Sequence, residues 1–364
     1  SLLQSTRSLK LIESTIHPDI SCVLDVRDIF DLNATTFHGN ASFTTNGDGQ
    51  RISVQNAKFG GNLVLTIRSG SGGTFSADTV AVSGNFSLHC TSTLATVTVS
   101  NFECNGLFHV YCSCDSVYCD KLSTNRSLQL TGSDIRAVTL SNCRAVEGII
   151  VDKIRLSTLE IRDCESQRDI KIWSCEIGHK IRLQDVSVDG SIDFNSTTIF
   201  GQCTVMCCTA SAGIDFEVVP NDSTRKRPSE TSINGLSLEK CNLSDREYSG
   251  NFALNLSNRR IIGIFSVVNC NIYGPMKMDN VAFSGEVVVR ATVFPLNLPP
   301  GSKPIAFGCL PFLEGPSSKE ALAKRNSAAH QFERGFAHFK NALKVAGNDR
   351  IEREFHVREM RARR

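Results

Sequence analysis

Within residues 169–194, DIKIWSCEIGHKIRLQDVSVDGSIDF, Ile170, Ile181 and Ile192 fall 11 positions apart, each followed two positions later by another apolar residue. Leu159 and Cys203 extend the series at the same interval. Earlier in the chain Ile149, Val138, Leu128, Val117, Phe108, Val97, Phe86, Phe75, Leu63, Ile52 and Ala41 continue it, with gaps of 9 to 12. Ile214, Leu236, Phe252, Ile264, Met276 and Val287 carry it on less evenly. An amphipathic helix repeats every three or four residues and a strand every two, so neither explains the interval. A fixed longer period is the mark of stacked repeats, each burying its apolar side against the next.

The unit is a short alternating stretch, a corner, and a second short stretch. Asn tends to precede the third apolar residue, with Gly close behind, as in QNAKFGG, SNFECNG, SNCRAVEG, VNCNIYG and DNVAFSG. Both residue types tolerate the left-handed backbone of a tight corner. Two such halves make a coil of about 22 residues, with strands of successive coils about 4.8 Å apart. The expected fold is therefore all-β: a right-handed parallel β-helix over residues 41–293, with roughly eleven coils. Residues 1–40 are expected to cap its first edge, beginning with a short helix over 1–15. Residues 294–317 read as a Pro-rich linker, and 318–364 as an α-helical hairpin with a Phe stripe and a break at Gly347.

The repeat also accounts for the cysteines. Cys143, Cys164, Cys175, Cys208, Cys241 and Cys270 take the inward corner position, where a compact side chain packs on its neighbours. The total of 15 is odd, so complete disulfide pairing is impossible and a reducing, cytoplasmic setting is expected. Asn-x-Ser/Thr at Asn33, Asn40, Asn85, Asn125, Asn195, Asn221, Asn242 and Asn255 points the other way. Cys104, Cys112, Cys114 and Cys119, with His89 and His109, are the one cluster to weigh as a metal site. Their spacing matches no zinc knuckle, and neither metal nor cofactor is expected.

On the outer face, residues 22 apart stack, which brings Lys171, Asp193 and Asp215 into one column. Adjacent Asp193 and Asp215 repel unless something compensates, so they are binding candidates, or acids for polysaccharide chemistry. One Trp and four Tyr leave little to line a sugar groove. The polar insertion VPNDSTRKRPSETSING supplies Arg225, Lys226 and Arg227 as contact candidates. With 39 Lys+Arg against 37 Asp+Glu, the charge suits neither nucleic-acid binding nor mimicry of DNA. No nucleotide loop, nucleophile elbow or zinc-protease motif is present, so no enzymatic activity is expected.

The segment AAHQFERGFAHFKNALKVAGNDRIEREFHVREMRARR resembles the C-terminal helices of bacterial membrane-associated pentapeptide-repeat proteins. Phe339, Lys340, Leu343, Gly347, Asn348, Asp349, Phe355, Arg358, Glu359, Met360 and Arg363 carry the likeness, over about 40 residues. The solenoid departs from that family, which beats in fives rather than elevens. The resemblance implies a membrane anchor beyond these helices, with Arg358, Arg361, Arg363 and Arg364 on its cytoplasmic, inner-membrane side. The functional expectation is a cytoplasmic binding or scaffold solenoid near a membrane, with a protein partner; self-association stays open. The alternatives are a polysaccharide-processing β-helix and a topoisomerase-directed DNA mimic.

Overall fold

The computed structural model describes residues 4–292 apart from 18, 47–49, 69–71, 218–231, 245–251, 275 and 279–280, and beyond 292 only Ala337 and Lys340. It is an all-β parallel solenoid of about eleven turns, and every strand pairing given for it is parallel. The chain divides into two compact units, Ser1–Arg182 and Leu183–Arg364. The helices expected over 318–364 lie outside the described residues, those two positions aside.

In the first unit the apolar beat becomes two long rows. Ala41, Leu63, Phe86, Phe108, Leu128, Ile149 and Ile170 stand in register in one. Phe30, Ile52, Phe75, Val97, Val117, Val138 and Leu159 form the other. All of these side chains are buried. Phenylalanines stack along the interior: Phe37 lies 4.9 Å from Phe59 and Phe86 lies 4.8 Å from Phe108, centroid to centroid. Such rings bury a large apolar area and add a favourable mutual orientation.

The 11-residue interval proves to be composite. Inward pairs open at Ile149, Ile154, Leu159, Cys164, Ile170, Cys175 and Ile181, steps of five or six. Eleven is one step of five and one of six, and a coil carries four inward pairs.

Two turns of a coil pass through a residue with positive φ just before the inward corner residue, as at Lys153 and Asp163. Asn56, Asn101, Asn142 and Asn269 hold φ of 50°, 47°, 53° and 54°, at the places where Asn was expected. The same post is filled elsewhere by Thr79, Lys121, Asp163, Ser174 and Asp185. The corner residue that follows is often Cys or Thr, for a reason beyond compactness. The Sγ of Cys143, Cys164, Cys175, Cys208, Cys241 and Cys270 donates to the carbonyl two residues back, at 3.2–3.4 Å. Thr35 and Thr292 do the same through Oγ1, both at 3.1 Å. The thiol thus adds a second bond to a carbonyl that already accepts a backbone N–H from the neighbouring coil, as Arg162 does from Asn142, Trp173 from Lys153 and Glu239 from Cys207, and so places its own donor in an otherwise apolar interior.

The glycines serve another purpose. Asp19 Oδ1 accepts from the backbone N of Asn40 (2.6 Å), Asn40 Oδ1 from Asn62 (2.8 Å), Asn62 Oδ1 from Asn85 (2.7 Å) and Asn85 Oδ1 from Leu107 (2.8 Å). Gly84 and Gly106 lie directly over Asn62 Oδ1 and Asn85 Oδ1, where any Cβ would collide. Close approach, rather than a left-handed φ, demands glycine there. Asn40 and Asn85 therefore have a structural explanation independent of the Asn-x-Ser/Thr pattern.

One expectation at the N-terminal end is overturned. Residues expected as a short helix form the strand Gln4–Ile12, paired in parallel with Ile20–Asn33. Leu9 and Leu11 are less exposed than Ser8, Lys10 and Ile12, so the period-two pattern prevails over helix propensity.

In the second unit four rows are hydrogen-bonded. Cys203, Leu236, Phe265 and Val287 form one; Ile192, Ile214, Leu254 and Met276 another. Ala210, Leu243 and Ile272 form the third, and Ile233, Ile261 and Phe283 the fourth. Two positions of the expected series shift: Leu254 and Phe265 point inward, not Phe252 and Ile264. Ile264 is 55% exposed. From Ile264 to Phe265 the slip is one residue, which turns a strand position to the opposite face; from Phe252 to Leu254 it is two, and the insertions at 218–231 and 245–251 break the count.

Candidate functional site

The predicted carboxylates do meet. Ile192–Asp193 pairs in register with Ile214–Asp215, which pairs with Leu254–Asn255, which pairs with Met276–Lys277. Because Ile192, Ile214, Leu254 and Met276 face the core, strand alternation brings Asp193, Asp215, Asn255 and Lys277 together in one outer row.

The row is tied up internally. Asp193 Oδ1 accepts from the Asn195 amide (2.8 Å), Asp215 Oδ1 from Glu217 (2.7 Å) and Asn255 Oδ1 from Ser257 (3.0 Å). Each side chain closes the same small turn at the same corner. Glu217 then joins the row: its carboxylate accepts from Asn255 Nδ2 at 2.9 Å and from Lys277 Nζ at 3.0 and 3.1 Å. Lys277 Nζ also lies 5.6 Å from the centroid of Phe252. Burial raises the Asp215 carboxyl above the usual carboxylate range, and Asp193 and Glu217 add to that. Bonds from Glu217 and Asn255 oppose it.

Beneath the row lies Arg259, 1% exposed and the largest fully buried side chain. Its Nε donates to the Phe216 carbonyl, and its Nη2 to the carbonyls of Thr197 (2.9 Å) and Phe194 (3.5 Å). Nη1 has no hydrogen-bond partner. Burial lowers the Arg259 guanidinium to about 10, and Cys203 and Asp215 act in the other direction. It remains charged at neutral pH and fastens two successive coils. Thr197, which breaks the apolar pattern in sequence, supplies one of the carbonyls it holds.

Arg225, Lys226 and Arg227, and likewise Arg358, Arg361, Arg363 and Arg364, lie outside the described residues. Lys171 pairs with Asp169 at 3.4 Å and stands 4.6 Å from the centroid of Trp173. Cys104, Cys112, Cys114 and Cys119 are buried, with Cys112 and Cys114 Sγ 3.6 Å apart. Among the described residues no group of three or more His, Cys, Asp or Glu is placed to hold a metal.

Sequence reasoning found Asp193 and Asp215 but missed Glu217, Asn255, Lys277 and Arg259. Asn255 and Lys277 do stand 22 apart, a usable signal once the insertion of 218–231 is skipped. Arg259 leaves no periodic trace.

Fold and row together define a parallel β-solenoid with an acidic row that is internally bonded. No protein-family model matches the chain, and comparison with curated proteins and with solved structures finds no match.

Proposed function

We propose that this chain is a non-catalytic β-solenoid binding module, the cytoplasmic part of a membrane-associated bacterial protein. The observation that carries the non-catalytic reading is the state of the acidic row. Glu217 is occupied by Lys277 and Asn255, while Asp193 and Asp215 each spend an oxygen on a turn. A general acid and base must instead be free to exchange protons with a substrate. Near-neutral charge argues against mimicry of DNA. The membrane part rests on the resemblance of the C-terminal segment. Among the described residues no helix is long and apolar enough to cross a membrane. Arg225, Lys226 and Arg227 are the proposed contacts for a protein partner, and Arg358, Arg361, Arg363 and Arg364 for the membrane side.

The test is fractionation of the full-length gene product. Recovery in the membrane fraction is the expected result. Recovery entirely in the soluble fraction removes the membrane part of the proposal.

A second reading, a polysaccharide-processing enzyme, is favoured by one observation: Asp193 and Asp215 stand in register with the Asp215 carboxyl raised. It requires that Asp193→Asn with Asp215→Asn abolish a measurable glycan cleavage.

A further inference from the structure

The chain has few large aromatic polar side chains, yet the first unit gathers several on one outer face. Successive pairings set His89 beside Tyr111, Tyr111 beside Thr131, Thr131 beside Asp152, and Asp152 beside Trp173. A parallel column two residues earlier runs His109, Gln129, Ile150, Lys171. Tyr111 and the single Trp therefore stand three coil steps apart, about 14 Å at the usual strand spacing. Between them the column carries the smaller Thr131 and Asp152, over a floor shared with Gln129 and Ile150.

The chemistry of this trough is polar but balanced. Lys171 is paired with Asp169 at 3.4 Å, and Asp152 lies 3.6 Å from Lys153 Nζ. Burial, with His89 nearby, lowers the His109 imidazole below its ordinary range and keeps it neutral near pH 7. His109 Nε2 is 2.9 Å from Thr131 Oγ1, which fixes the ring against the floor. The Tyr111 side is 44% exposed. The face offers two flat amphipathic rings at a fixed separation, Trp173 with Lys171 Nζ 4.6 Å from its centroid on one side, and amide, hydroxyl and carboxylate groups lie between them. A charged polymer finds no net field there. An uncharged ligand with apolar ring faces and a fringe of hydroxyls matches both the rings and the floor.

We propose that the face spanning His89, Tyr111, Gln129, Thr131, Asp152 and Trp173 binds a neutral oligosaccharide laid along the direction of coil stacking. The proposal rests on the reading of the chain as a binding module and supplies its ligand class. Trp173 is the chain's only tryptophan, so its emission reports on the site without a label. The full chain is titrated with cello-, xylo-, malto- and chito-oligosaccharides of several units. A saturable change with at least one series is expected, weakened about tenfold or more by Tyr111→Ala. Gln129→Ala weakens it too, while Trp173→Ala, followed by calorimetry, removes binding. Tyr118→Ala, at a residue 37% exposed in the separate row Thr98, Tyr118, Thr139, leaves it unchanged, and matched unfolding midpoints establish that each variant is folded. No saturable response to any series overturns the proposal, as does a response indifferent to Tyr111→Ala. A response to extended peptides alone also overturns it, yet leaves the binding-module reading standing. Failure of membrane recovery, in contrast, bears on that reading and not on this face.

Discussion

Single side chains in this fold answer to the chain above or below them. Asn62 hands its Oδ1 to the Asn85 amide at 2.7 Å. Asn62→Ala is expected to cost about 1 kcal/mol, the usual net worth of one hydrogen bond, as a lowered denaturant midpoint with unchanged slope. The corner posts give the opposite case. Thr79 is β-branched and holds φ of 55°, a conformation that penalises its Cβ. Thr79→Asn should stabilise by up to about 1 kcal/mol, since Asn adopts this backbone readily. Much at this scale was legible in sequence: Asn56, Asn101 and Asn142 mark their corners because no other common non-glycine residue suits the conformation so well. Thr79 and Lys121 were not legible. At those corners stacking against neighbouring coils, rather than residue preference, imposes the left-handed turn.

At the scale of the coil, the strands are short and the corners do the fastening. Arg259 secures the carbonyls of Phe194, Thr197 and Phe216 from inside. Arg259→Met keeps apolar bulk but strands those acceptors, so a loss of at least about 3 kcal/mol is expected in equilibrium unfolding. Lys277→Met leaves Glu217 with only Asn255 at a half-buried site. A smaller loss of about 1–2 kcal/mol should follow in equilibrium unfolding. The acid pair of this row was readable because Asp193 and Asp215 keep the 22-residue spacing. Its partners were hidden by the intervening insertion, which changes the count without changing the stacking. The aromatic face shows a different limit: Tyr111 and Trp173 are 62 positions apart in sequence, and three uneven coil lengths of 20 and 21 separate them. An averaged period blurs that register.

For the whole molecule, the thiols govern behaviour at high pH. Burial is the main cause that pushes Cys90, Cys119, Cys175 and Cys208 up to about 12. In the unfolded chain these groups ionise near pH 8.5. Between those values the folded state binds more protons than the unfolded one, so stability is full below about pH 8.5 and declines as pH rises toward 12. Unfolding midpoints from pH 7 to pH 10.5 should fall steadily, and the buried thiols Cys90, Cys119, Cys175 and Cys208 should resist, in the native protein, reagents that modify them in the unfolded chain at once. A rise in stability across that interval would contradict the burial of the thiols.

The amide-to-side-chain bonds from Asp19 through Leu107 each join one coil to the next and never skip one. A polypeptide fastened in this manner behaves as a zipper with many possible starting teeth. Hydrogen exchange in the first unit should then grade smoothly from the edge near Gln4 inward, instead of dividing into a protected centre and an open remainder.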